Sequence, residues 1–144
     1  SGTRWKDLYL SGGIEIENGT GNVGVGKDAL RINTASNNTA VGAQAGYNSN
    51  STNGRNTFIG TAAGYAMTTG EKNTIIGRYS GNFGGLDIRT SNNNIVLSDG
   101  DGNPRFRIDA SGTATFDNAV SGQNNNVINV NSDYPSAGTA TMYM

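Results

Sequence analysis

The chain has 144 residues, a formal net charge of −1, no cysteine and no histidine. Disulfides, cysteine-based metal sites and histidine general bases are therefore excluded, and no basic stripe offers itself to nucleic acid or an anionic membrane. Only 34% of residues are hydrophobic and 22 are glycine, against a usual apolar share of about 45–50%, so one copy buries a thin core. Low charge, with Val, Ile and Thr at regular places, argues for ordered β-structure rather than disorder. No signal peptide and no stretch of about 18 apolar residues is present, so membrane insertion is not expected.

Residues 1–20 read as an N-terminal strand pair. Leu8/Leu10 and Ile14/Ile16 alternate with polar residues, Ser11-Gly12-Gly13 turns between them, and Asn18-Gly19 forms the next turn. Trp5, the only tryptophan, is expected as a packing anchor in the first strand.

Residues 21–92 are a repeat shaft. Asn22-Val-Gly-Val-Gly26, Asn38-Thr-Ala-Val-Gly42, Asn56-Thr-Phe-Ile-Gly60 and Asn73-Thr-Ile-Ile-Gly77 are near copies, with glycines 16, 18 and 17 residues apart. A fainter fifth copy, Asn93-Asn-Ile-Val-Leu97, loses the glycine. Near-fixed spacing marks stacked rungs. Each unit reads as a short strand, a glycine, a small-residue corner and a polar loop. Gly42-Ala-Gln-Ala-Gly-Tyr47 and Gly60-Thr-Ala-Ala-Gly-Tyr65 share the corner, and Gly77-Arg-Tyr-Ser-Gly81 keeps its skeleton. These pieces are too short for helix and suit tight inward corners. The glycines are expected at positive φ or at close backbone approaches. The recurring asparagine fits either a left-handed turn residue or a stacked ladder.

Residues 93–112 form the clearest hairpin: Ile95-Val-Leu97, then Asp99-Gly-Asp-Gly-Asn103, then the alternating Arg105-Phe-Arg-Ile108. Asp99, Asp101 and Asn103 have the spacing of a calcium loop, but Pro104 and Ala110 stand where that template wants Gly and Glu, so the segment reads as a turn. Arg105 and Arg107 point away from Phe106, toward solvent or an aspartate of another chain. Residues 113–144 form a C-terminal tip or truncated continuation, with strand candidates at Thr113–Phe116, Asn126–Val130 and Thr139–Met144. Beginning at Ser1 and stopping in such a strand, the chain reads as a segment of something longer.

Tyr47, Tyr65 and Tyr79 recur in or beside the corners. With Tyr134 they are the candidate glycan contacts, because an amphipathic ring stacks on a sugar face. The competing role is packing between rungs, which position-locked recurrence favours. No cofactor is implied. Glycoside cleavage needs two carboxylates flanking a cleft, and no matched acidic pair occurs on successive rungs.

Three segments resemble the distal shaft and tip of bacteriophage tail fibres: Arg4-Trp-Lys-Asp-Leu-Tyr-Leu-Ser-Gly-Gly13, the Asn-Thr-x-Ile/Val-Gly array, and Asn93 to Gly112. The last resembles the segment ahead of an endosialidase-type intramolecular chaperone. The array also resembles the head repeats of trimeric autotransporter adhesins. The resemblance implies a homotrimer on the virion, extracellular, contacting a host cell-surface glycan or outer-membrane receptor. It also implies a C-terminal chaperone cleaved after trimerisation. The expected fold is all-β: a homotrimeric β-helical or β-roll fibre with rungs of about 17 residues and a hairpin tip. A strict hexapeptide coil fails, since counting by sixes from Ile59 reaches Glu71 and Gly77. A wide single-chain β-helix needs more apolar residues per coil than these units offer, so a trimer of narrow β-rolls or an intertwined triple β-helix fits best. The expected function is a structural and receptor-binding fibre segment. The competing readings are a bacterial adhesin head, a polysaccharide-cleaving tailspike and a self-assembling filament.

Overall fold

The computed structural model describes residues 20–116. Trp5, Tyr134, the strands expected before residue 20 and those at 126–130 and 139–144 lie outside the described residues. The described residues are all-β and contain no helix. In chain order the strands are β1 (Val23–Val25), β2 (Thr39–Val41), β3 (Thr57–Ile59), β4 (Thr74–Ile76), β5 (Asn82–Phe83), β6 (Leu86–Asp87), β7 (Ile95–Ser98), β8 (Pro104–Ile108) and β9 (Ala114–Phe116).

The chain coils into a β-solenoid of about four turns. Strands β1, β2, β3, β4 and β7 stack in parallel and in register, and β8 and β9 then extend the same sheet in antiparallel fashion. The small β5–β6 hairpin is a separate antiparallel pair. Each coil bonds to the next coil of the same chain away from the strands as well. Leu30 N–H donates to the Ala45 carbonyl, Gly46 to Ala63 and Gly64 to Tyr79, all at 2.8–2.9 Å. Arg55 donates to Ser36, Lys72 to Gly54 and Asn93 to Glu71. Successive rungs thus pair with rungs of the same chain, as in a solenoid, rather than with strands of other chains as in an intertwined triple helix.

Three-residue strands turn one side chain inward and two outward. The inward column is Gly24, Ala40, Phe58, Ile75 and Val96, and the last four are fully buried. They meet a facing wall of Leu30, Ala45, Ala63 and Tyr79. The interior is so narrow that size is traded across it. A Cβ at Gly46 or Gly64 would collide with the Phe58 ring, so two glycines make room for one phenylalanine. Leu30 fills the first rung, where Gly24 offers no side chain, and its own backbone sits at φ 53.

The glycine ending each strand has a different reason. Gly26, Gly42, Gly60 and Gly77 have φ between 107 and 134. A Cβ on any of the first three would strike the backbone of the corresponding glycine one rung on, and one on Gly77 would strike Ser98.

The recurring asparagines form a buried ladder. Asn22, Asn38, Asn56, Asn73 and Asn94 are 0–5% exposed. Oδ1 of each accepts the backbone N–H of the next, from Asn38 to Asn22 at 2.8 Å and then at 2.9 Å for each later step. Nδ2 of Asn22, Asn56, Asn73 and Asn94 donates to loop carbonyls, such as Asn56 to Gly70 at 3.0 Å and Asn73 to Ser91 at 2.8 Å, and that of Asn38 donates to Asn33 Oδ1 at 3.1 Å. The left-handed turn residue is the one before: Gly21, Asn37, Arg55, Lys72 and Asn93 all have φ between 58 and 70. The fifth copy is accordingly Asn94-Ile-Val-Leu-Ser98, one residue later than the sequence pattern suggests. Its glycine position holds Ser98, since no parallel rung follows to crowd it.

Two substitutions separate these roles from the surface. Gly60→Val meets both a positive φ and a backbone collision, and should cost about 3 kcal/mol or more. Exposed Asp101→Ala should stay within about 0.5 kcal/mol. Thermal unfolding followed by circular dichroism measures both, and equal midpoints would contradict the stacking account. Asn56→Ala strands the buried Asn73 N–H and the Gly70 carbonyl, and should lose roughly 2–3 kcal/mol in the same assay.

Candidate functional site

The outer side of the sheet is unusual. Outward residues form two columns. One runs Val25, Val41, Ile59, Ile76, Leu97, Phe106 and Phe116; the other runs Val23, Thr39, Thr57, Thr74, Ile95, Ile108 and Ala114. The first column has no polar member. Val25, Val41, Ile59, Ile76 and Leu97 are 39–48% exposed. Phe106 and Phe116 continue it as a tilted ring pair with centroids 4.9 Å apart.

The inward column reverses character at the same place. After Val96 it continues into Arg107 and Thr115. Arg107 closes the end of the core beside Leu86, and its guanidinium lies 3.8 Å from the Asp109 carboxylate. The hairpin β8–β9 therefore turns polar groups toward the coil and apolar ones away from it. A polar cap on a solenoid end is expected. An apolar outer face on that cap has no partner among the described residues.

The candidate tyrosines divide. Tyr47 and Tyr65 stand on successive rungs on the corner side, partly exposed, with ring centroids 5.2 Å apart and a 30° tilt. Tyr79 does not join them. It is fully buried, and its single hydroxyl proton is shared between the Gly81 and Leu86 carbonyls, at 2.9 and 2.8 Å. Burial pushes its phenol above the ordinary value, to where it stays protonated. The rung alignment explains the difference: Gly46 bonds to the Ala63 carbonyl and Gly64 to that of Tyr79, so Tyr79 occupies the inward alanine column. A surface glycan contact is closed to it.

Sequence reasoning missed Phe83. The step from Asn73 to Asn94 is 21 residues, longer than the 16–18 of the other steps. The extra chain is the β5–β6 hairpin, whose Gly84-Gly85 turn holds Phe83 out at 47% exposure. Phe83 and Tyr65 flank a crevice of about 200 Å³ that also touches Arg78, Ser80 and Asp101. The lengthened step was the available signal.

The carboxylates mostly fasten turns. Asp99 accepts Asn103 Nδ2, the backbone N–H groups of Asp101 and Asn103, and the Arg105 guanidinium at 2.5 Å. Its oxygens are thus engaged within the turn that resembled a calcium loop. Arg105 and Arg107 both find aspartates of their own chain. Asp87 pairs with Arg89 at 2.7 Å, and Glu71 accepts the Asn53 backbone N–H one rung away at 2.9 Å. Among the described residues no group of three or more acidic, cysteine or histidine side chains is placed to hold a metal ion. No described helix is long and apolar enough to cross a membrane.

Comparison with protein-family models, with curated proteins and with solved structures finds no match.

The Asn103 side chain and then Arg105 hold the Asp99 carboxyl below its ordinary 3.8. A depressed carboxylate adds stability above its unfolded pKa and loses it as pH falls through the folded value. The melting-temperature gap between wild type and Asp99→Asn should therefore be widest near neutral pH and close as pH drops below about 4. A gap that does not change with pH would contradict this.

Proposed function

We propose that the chain is a shaft segment of a trimeric, extracellular attachment fibre of the tailed-phage kind. Three copies pack their outer sheet faces around an axis parallel to the stack. One observation carries the reading: the apolar outer column continues past the end of the solenoid core onto β8 and β9, where the coil side has become polar. That hairpin buries only Pro104 among its strand residues, leaving Phe106 and Ile108 half-exposed and Phe116 exposed. It gains burial if an identical column lies against it.

The magnitude is adequate. Fully burying a Val, Leu, Ile or Phe contributes roughly 1.5–3 kcal/mol. Half of that for each residue of a seven-membered column gives on the order of 5–10 kcal/mol per chain. This is comparable with the association entropy to be offset. The face is a ridge two side chains wide rather than a broad sheet, which suits convergence on an axis. The Val25-to-Phe116 columns of the three copies then meet one another at the axis, in a ring that closes. The number three comes from the resemblance of the repeats to trimeric fibres. In this reading the outward corners and loops present attachment contacts to a host-surface glycan or outer-membrane receptor, with avidity from three copies. A chaperone following this segment would be cleaved after assembly.

Native mass spectrometry of the full chain should give three times 14.9 kDa. A folded monomer at micromolar concentration would overturn the reading. Ile59→Asp alters only an outward position and should yield folded monomer or insoluble chain, whereas a normal trimer from that variant would exclude this face.

A further inference from the structure

The crevice beside the β5–β6 hairpin lies in the corner region that carries Tyr47 and Tyr65, away from the self-association columns of the sheet. It has an unusual combination of walls. Tyr65 and Phe83 supply two aromatic rings, and Phe83 is held out by a hairpin present in one rung only. Arg78 supplies a guanidinium, Asp101 a carboxylate and Ser80 a hydroxyl. Arg78 and Asp101 are exposed, and neither side chain has an ion-pair or hydrogen-bond partner among the described residues. This contrasts with Asp28, Asp87, Asp99 and Asp109, which are all paired with arginines. The floor is firm: Arg78 N–H donates to the Asp99 carbonyl, and Gly102 packs so closely on the Arg78 carbonyl that a Cβ there would lie 3.1 Å away.

The geometry points to a saccharide subsite taking one neutral hexose ring. Aromatic faces with a few convergent polar groups make a site for a ligand that is part apolar and part hydroxylic. A hexose offers a C–H face to Tyr65 and Phe83. Its equatorial hydroxyls donate to the Asp101 carboxylate and accept from Arg78, in charge-assisted hydrogen bonds. One cation beside one anion leaves no net charge to favour an acidic sugar. Insertions in repeat proteins map to one face, often the binding face, and this is the inserted rung. The choice of a sugar as ligand rests on the attachment reading above; the residues and the crevice do not.

The test is saturation-transfer NMR on the full chain, with methyl glycosides of glucose, galactose, mannose and N-acetylglucosamine. Glucuronic acid serves as the acidic comparison, and native mass is measured on the same samples. At least one neutral glycoside should receive saturation. Phe83→Ala and Asp101→Asn should each weaken that binding by roughly tenfold, about 1.4 kcal/mol, with mass and melting temperature unchanged. No transfer to any neutral glycoside would overturn the proposal. So would equal transfer from both variants, or stronger transfer to glucuronic acid. A trimer without transfer sinks the subsite and leaves the assembly. A monomer with transfer does the reverse.

Discussion

The structure depends on one constraint: at the strand ends, successive rungs touch through backbone, with no side chain between them. Gly26, Gly42, Gly60 and Gly77 stand where a Cβ would enter the neighbouring rung. Next to them the asparagine ladder replaces packing by hydrogen bonding, each Oδ1 tied to the following Asn N–H. Both devices fix register, because glycine and asparagine recur together and each must meet its own kind. A slip of one residue would bring a Cβ into the glycine column and leave buried amides unpaired.

That tight stacking leaves little interior. The core column is one residue wide, and Phe58 fits only because Gly46 and Gly64 face it. A coil this thin cannot hide all its β-branched residues, and the surplus lies on the outer sheet face. The narrowness of the coil and the apolar outer column thus have a common cause. A chain whose own core is small is stabilised by contributing to a shared one. The change at Arg107 sharpens the point. Where the solenoid ends, the inner side of the sheet becomes polar and the outer side does not.

Much of the fold was legible because the repeat writes its constraints into a few residue types. Strands β1 to β4, the glycine ends, the alanine corners and the β7–β8 hairpin follow from the sequence, since backbone contact admits few alternatives at those places. Single-residue phase was less legible. The left-handed residue precedes the asparagine, and its identity varies from Gly21 to Asn37, Arg55 and Lys72, so no letter marks it. Tyr79 was misplaced because tyrosine was matched to tyrosine rather than to its offset from glycine. Tyr47 and Tyr65 lie five residues after Gly42 and Gly60, but Tyr79 lies two after Gly77. That offset puts it near the alanines, where the structure has it. Phe83 was missed because an insertion breaks the period, and periodic reading passes over what does not repeat.

The central claim is that the Val25-to-Phe116 column lies against its own copies. The chain has no cysteine, so single cysteines report contacts cleanly. Under mild oxidation, Ile59→Cys should form inter-chain disulfides in high yield. Gln44→Cys, exposed at a corner, should form few. Efficient cross-linking at Ile59 alone is the predicted result. Absence of cross-linking there, or equal yields at both positions, would contradict the account.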